Sequence, residues 1–369
     1  MNFHVNKSFI TLAATGCLLF LPVHQVNAGD WYTWNLSKIG VTKTMHKNAR
    51  KRGTNVKVGV IDKLAYCSHK ELKGRCTAWG WSSGDYSTRD DHGTHVATTI
   101  AANNTGSSGM VGVAPKAYIH SYGLMDPGAA TYTHETGAIN HARKKGVRVI
   151  NMSYGSDEPP GSLFSSNKLK NIASTKNKNI VFVQAAGNEG VKLLSWLVSF
   201  QASSKLKNLI IVGNIKWNKK IYRTSNRPGG ACFKTRGWIR NTCKNKNKFK
   251  YFFVVAPGTN IYAGKGNGGY VSKTGTSMAA PHVTGVVALL QGYWPVLKKR
   301  AGSVTNIIFH TAEDLGAKGV DAIYGWGMVR ADKAMSPLGR KYLMKNNKVY
   351  SLSSSRLRVS QALAALTPE

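Results

Sequence analysis

Three short segments of this 369-residue chain carry side chains that could cooperate in acyl transfer. Asp62 closes the apolar run Val58-Gly59-Val60-Ile61. His92 stands in Asp91-His92-Gly93-Thr94-His95-Val96-Ala97, and Ser277 in Gly275-Thr276-Ser277-Met278-Ala279-Ala280-Pro281-His282. A serine hydroxyl is a weak nucleophile until a base takes its proton, and an imidazole works as that base when a third group holds its tautomer. Plainer readings exist, since an Asp after a strand commonly caps a turn and a Ser at a helix start commonly satisfies an orphan N–H. The setting of Ser277 favours the chemical reading: Gly275 permits a close approach, and Ala279 and Ala280 leave room beside the hydroxyl. His95, about one helical turn from His92, reads as a structural histidine. The pair does not fit a zinc motif, whose histidines stand four apart around a Glu.

These residues must be positioned by larger elements. Short apolar, β-branched runs at residues 56–61, 147–152, 180–183 and 209–212 read as buried strands. Helical patterns over 131–145, stopped by Gly146, and over 166–176 lie between them. That alternation predicts an α/β fold of three layers, a parallel sheet flanked by helices. Residues 278–291 are apolar almost all round, with Val283, Val286, Val287, Leu289 and Leu290, so this helix belongs inside the domain. Ligands of open parallel sheets gather beyond the strand carboxyl ends, which is where Asp62 falls.

Composition narrows the class. With 42% hydrophobic and 18% charged residues the chain is neither disordered nor collagen-like. Against 51 Lys+Arg stand 16 Asp+Glu, a formal charge of +35. Such a surface is expected to adhere non-specifically to anionic polymers or lipid headgroups, and the charge alone implies no stable nucleic-acid partner. Residues 1–28 read as a signal peptide: Lys7, an apolar stretch over 9–21, and small residues at Val26-Asn27-Ala28. The stretch is shorter than the roughly 20 apolar residues of a membrane span, so an exported chain starting at Gly29 is expected. The domain should run over 29–335, followed by a basic, Ser-rich tail over 336–369. Once Cys17 leaves with the signal, four cysteines remain, which allow three connectivities. Closeness in sequence favours Cys67–Cys76 and Cys232–Cys243 in an oxidising compartment.

The chain resembles the subtilisin-family serine peptidases. The resemblance rests on the ordered motifs Val58 to Asp62, Asp91 to Ala97, Ala185-Ala186-Gly187-Asn188 and Gly275 to Pro281, with further likeness at Val255-Ala256-Pro257-Gly258 and Tyr324-Gly325-Trp326-Gly327. It implies that Ser277 is the nucleophile, His92 the general base and Asp62 its orienter, in the Asp, His, Ser order of that family. Asn188 would donate to the oxyanion, and Ser153-Tyr154-Gly155 would pair with an extended polypeptide substrate. The chemistry would require no cofactor. Structural calcium is usual in such proteins, yet this sequence shows no recognisable carboxylate cluster and leaves the question open. Three departures stand out: Lys63-Leu64 after Asp62, Asp91 where a glycine commonly precedes the histidine, and Thr98 at an expected small residue. The Lys63 change supports an alternative, a catalytically weak relative that binds anionic surfaces. A segment over 232–250, with the second cysteine pair and a basic run, is expected to form a stapled, positively charged flap near the active face. Residues 29–61 already resemble the family's opening segment and first core strand, so no separate folded prodomain is expected.

Overall fold

The structure is a computed structural model and describes residues 34–80, 91–104, 110–124, 132–155, 162, 164, 166–198, 206–235, 243–336, 343–345 and 348–350. The signal peptide expected over 1–28 lies outside them. Among the described residues before the tail the strands are β1 (Lys57–Asp62), β2 (Cys76–Trp79), β3 (Tyr118–Gly123), β4 (Val149–Met152), β5 (Val181–Ala185), β6 (Trp196–Val198), β7 (Leu209–Ile215), β8 (Phe233–Thr235), β9 (Phe253–Pro257), β10 (Ile261–Gly264) and β11 (Tyr270–Lys273). Seven form one all-parallel sheet in the order β2-β3-β1-β4-β5-β7-β9. The helices are α1 (Trp34–Lys38), α2 (Lys43–Lys47), α3 (Asp91–Ala101), α4 (Tyr132–Lys144), α5 (Ser166–Ile172), α6 (Thr276–Tyr293), α7 (Ala301–His310) and α8 (Ala331–Ala334).

Side chains of a strand alternate between faces, and here the alternation feeds two cores. Val58 and Val60 of β1, Val149 of β4 and Val181 and Val183 of β5 pack on one face with α3, α6 and α7. Ile61, Ile150, Met152 and Phe182 pack on the other with α4 and α5. The result is the α/β three-layer arrangement, with apolar strands covered on both sides. Helix α6 is buried along almost its whole length.

One local expectation differs from the structure. The helix predicted over 166–176 ends at Ile172, and a separate 3-10 turn follows because the Ser174 hydroxyl accepts the Lys176 N–H. The described residues of the 232–250 segment, which exclude 236–242, are stapled and anchored. Cys232 is bonded to Cys243, β8 pairs with β6, and Phe233 and Phe249 are buried in an aromatic cluster with Phe164 and Phe252. Its basic residues ride on an aromatic anchor. The other bridge joins Cys67 to Cys76 at the sheet edge. Of the tail, the described residues form a hairpin of Leu343–Lys345 with Lys348–Tyr350.

Buried histidines tie the layers together. In α6 the His282 Nδ1–H donates to the Met278 carbonyl at 2.8 Å while Nε2 accepts from the Asn35 amide of α1 at 2.7 Å. In α3 the His95 Nε2–H donates to the Ile261 carbonyl of β10 at 2.8 Å. Burial lowers both pKa values from 6.5 to about 4. Between those limits the unfolded chain binds protons that the folded chain refuses, so stability is full above pH 6.5 and falls towards pH 4. Each histidine accounts for about 3 kcal/mol over the window. Urea unfolding across this pH range is expected to show that slope, and His282→Gln, though less stable at neutral pH, to show a shallower one. An unchanged slope in the variant would refute the assignment.

Candidate active site

Asp62 is the last residue of β1 and its side chain is fully buried. Its Oδ1 accepts the Lys63 backbone N–H at 2.7 Å and lies 2.6 Å from His92 Nδ1. Lys63 therefore meets the carboxylate through its backbone N–H. His92 stands in the first turn of α3 with a quarter of its side chain exposed. The start of α3 is fixed twice over. Asp91 Oδ1 accepts the Gly266 N–H at 2.9 Å, so the unexpected carboxylate moors the helix to the β10–β11 turn. A Cβ on Gly93 would stand 1.7 Å from the Lys63 carbonyl oxygen, so helix and strand end meet backbone to backbone. Thr98 ties the same helix to β10, its hydroxyl accepting the Gly264 N–H at 2.8 Å.

Ser277 lies in the first turn of α6, beyond the carboxyl ends of β4 and β5. Its hydroxyl donates to the Ser153 carbonyl at 3.0 Å, and the Ser153 hydroxyl donates back to the Ser277 carbonyl at 2.9 Å. That carbonyl is open to a side chain because Pro281, four residues on, has no N–H to offer it. Ser153 in turn accepts from the Asn151 amide at 2.8 Å, and the Thr284 hydroxyl donates to Asn151 Oδ1 at 2.9 Å. Among the described residues Asp62 and His92 are thus hydrogen-bonded to each other, while the Ser277 hydroxyl bonds Ser153 rather than His92. Catalytic hydrogen bonds in substrate-free enzymes commonly close only when substrate is bound.

Asn188 is exposed on the turn after β5. Its Oδ1 accepts both the Thr276 N–H at 2.8 Å and the Thr276 hydroxyl at 3.2 Å, which commits the carbonyl end of the amide and leaves the N–H₂ end for a ligand. The same turn is braced by Asn226, a buried residue that no sequence motif singles out. Its amide donates to the Ala186 carbonyl at 2.9 Å and to Glu189, and its Oδ1 accepts the Val191 N–H at 3.1 Å. Gly187 sits at φ +95, where a Cβ would strike the Asn226 amide at 2.5 Å. Asn226 lies in no quoted motif, and Thr276 lies in one that gave it no role; their partners are 40 and 88 residues distant in sequence.

Ser153 is buried, Tyr154 is partly buried and Gly155 is exposed. The Gln184 amide donates to the Tyr154 carbonyl at 2.6 Å, and the Lys168 ammonium stands 4.2 Å from the Tyr154 ring centroid. Burial first, then the negative charge of Glu135, holds the phenol well above its ordinary pKa. Burial also lowers the pKa of Lys168, against the attraction of Glu135.

A family model described as the subtilase family matches residues 53–327. The chain belongs to the subtilase family. It is a serine-type endopeptidase. Subtilisin DY of Bacillus licheniformis is 34% identical over 286 residues, covering 77% of this chain and 92% of that protein. Thermitase of Thermoactinomyces vulgaris is 29% identical over 287 residues, covering 77% and 89%. The solved structure of the prenylagaramide maturation protease PagA shares the fold at a TM-score of 0.61 with 23% identity, over 80% of this chain and 98% of that one. Among the described residues of this subtilase no group of three or more His, Cys, Asp or Glu is placed to hold a metal ion, so no residues are assigned to structural calcium.

The meeting of α3 with the end of β1 gives a direct test. Gly93→Ala forces a methyl group into the Lys63 carbonyl and is expected to destabilise the subtilase by at least about 3 kcal/mol, at the upper end of overpacking costs. A thermal unfolding midpoint equal to wild type would contradict the backbone-to-backbone contact.

Proposed function

We propose that this subtilase is an exported endopeptidase that cleaves extended polypeptides through Asp62, His92 and Ser277 and an acyl-enzyme intermediate. The observation that carries the reading is the 2.6 Å contact of His92 Nδ1 with the buried Asp62 carboxylate. It fixes Nδ1 as the protonated nitrogen and makes Nε2 the base. Substrate binding would turn the Ser277 hydroxyl from the Ser153 carbonyl towards His92. His92 takes its proton as Oγ attacks the scissile carbonyl, Asp62 stabilises the imidazolium, and His92 then protonates the leaving amine. Water repeats the sequence on the acyl-enzyme and restores Ser277.

The negative charge on the tetrahedral intermediate needs donors fixed in advance. The Asn188 N–H₂, aimed by the grip of Thr276 on its oxygen, and the Ser277 backbone N–H at the positive end of α6 supply them. Residues 153–155 would receive the substrate backbone as an added strand, with Tyr154 held by Gln184. No step requires a cofactor. Export rests on the signal-like residues 1–28.

Ser277→Ala is expected to abolish peptide hydrolysis and labelling by a fluorophosphonate. Asn188→Ala should lower kcat by roughly 100- to 1,000-fold with little change in KM, because its amide meets charge chiefly in the transition state. Wild-type turnover in either variant would overturn the assignment.

A further inference from the structure

Three loops of this subtilase lean on one another and each leaves a large apolar side chain in water. Trp217 sits in a tight hairpin after β7, where the Lys216 N–H donates to the Lys220 carbonyl and the Lys219 N–H to the Lys216 carbonyl, both at 2.9 Å. At 70% exposure it is the most exposed large hydrophobic among the described residues. Leu194 follows at 48% and Ile323 is at 40%. The loops are joined by backbone: Leu193 N–H to the Arg227 carbonyl at 2.9 Å, and Gly229 N–H to the Ala322 carbonyl at 3.0 Å. The Ile221 N–H, beside the Trp217 hairpin, donates to the Tyr324 hydroxyl at 3.4 Å.

The charge on the Trp217 loop is one-sided. Residues 214–230 hold Lys216, Lys219, Lys220, Arg223 and Arg227 and no carboxylate. Lys220 and Arg223 are exposed. The neighbouring carboxylates are already engaged. Asp321 accepts the backbone N–H groups of Ala317, Ile323 and Tyr324, Asp314 accepts that of Gly319, Glu189 holds Asn226, and Glu313 is shared by Lys219 and Arg330.

We propose that Leu194, Trp217 and Ile323, set among these cations, form a seat for an anionic lipid surface, with the Trp217 indole at headgroup depth. Indole is amphipathic and favours the boundary between hydrocarbon and water, and nearby lysines and arginines add attraction to anionic headgroups. A purely anionic polymer would use the cations and gain nothing from Leu194 or Ile323. Single-stranded nucleic acid stacks on grouped aromatic rings, whereas the exposed apolar neighbours of Trp217 on these loops are aliphatic. The seat adjoins the turn carrying Asn188, since the Gly190 N–H donates to the Thr224 carbonyl at 2.8 Å. Docking would therefore concentrate the cleft on polypeptides held at the same surface.

The test uses full-length protein carrying Ser277→Ala, so that cleavage cannot confuse the measurement and the result does not depend on the proposed chemistry. Vesicles of phosphatidylcholine with phosphatidylglycerol are expected to co-sediment with the protein at low salt, and phosphatidylcholine vesicles to do so far less. Trp217→Ala should weaken the partition about tenfold, in line with losing one interfacial aromatic. Brominated lipid should quench a fraction of the tryptophan emission that disappears in Trp217→Phe. Replacing Lys216, Lys220 and Arg223 by Gln should flatten the salt dependence. Equal partition of Trp217→Ala and its parent, failure to bind the anionic vesicles, or binding of DNA in preference to them would overturn the proposal.

Discussion

Pro281 imposes the constraint on which the rest of the site depends. A proline at this place in α6 leaves the carbonyl of Ser277 without its helical donor, and a buried carbonyl left alone is costly. The Ser153 hydroxyl meets it, and Asn151 and Thr284 extend the contact into the interior. The end of β4 is thereby bound to the first turn of α6. Thr276, one residue earlier in that turn, binds Gly187 and Asn188 beyond β5. Two neighbouring strand ends and one helix start form a single polar knot with Ser277 at its surface. A position in a flexible loop could not hold a hydroxyl to that tolerance.

Cohesion elsewhere owes little to charge. Apart from the Asp62–His92 contact, ion pairs among the described residues gather at Glu313, which takes Lys219 and Arg330, and at Asp332, which takes Arg330. Burial raises the pKa of Glu313, yet the hydrogen bonds from Lys219 and Arg330 outweigh it, and the net shift is downward. For a chain of net charge +35 the remaining cations repel one another in the folded state, and the two apolar cores must offset that repulsion.

The placement of the candidate residues Asp62, His92 and Ser277 was legible because each sits in a compact motif at the end of an apolar strand or the start of a helix. The strands around residues 147–152 and 209–212 were legible because both faces are buried and the composition says so. β3 was not, since its polar positions, His120 and Ser121, interrupt the apolar run; Ser121 is nonetheless buried, accepting the Ala65 N–H at 2.9 Å. The edge strand β2 shows half-exposed alternation over only four residues, too short a signal to separate from a turn. In the basic segment over 232–250 the lysines dominate the composition, while Phe233 and Phe249 anchor its described ends. Asn226 and Thr276 show the general reason for such misses. A side chain that braces a turn through a distant partner has no local pattern, and its role appears only when the topology brings the partner to it.

The strand order also says something about the time at which this enzyme becomes dangerous to polypeptide chains, its own included. β1 lies between β3 and β4, so this inner strand waits for neighbours that emerge later from the ribosome. The helix that fills the core beneath β4, β5 and β7 begins only at Thr276. Until that helix docks, Ser277 has no Ser153 to orient it, and Asn188 has no Thr276 to aim its amide. The proposed nucleophile is thus synthesised late in the domain and depends on completion of the core. Under the proposed mechanism a half-made chain carries Asp62 and His92 without a positioned Ser277, and competence arrives together with the folded state.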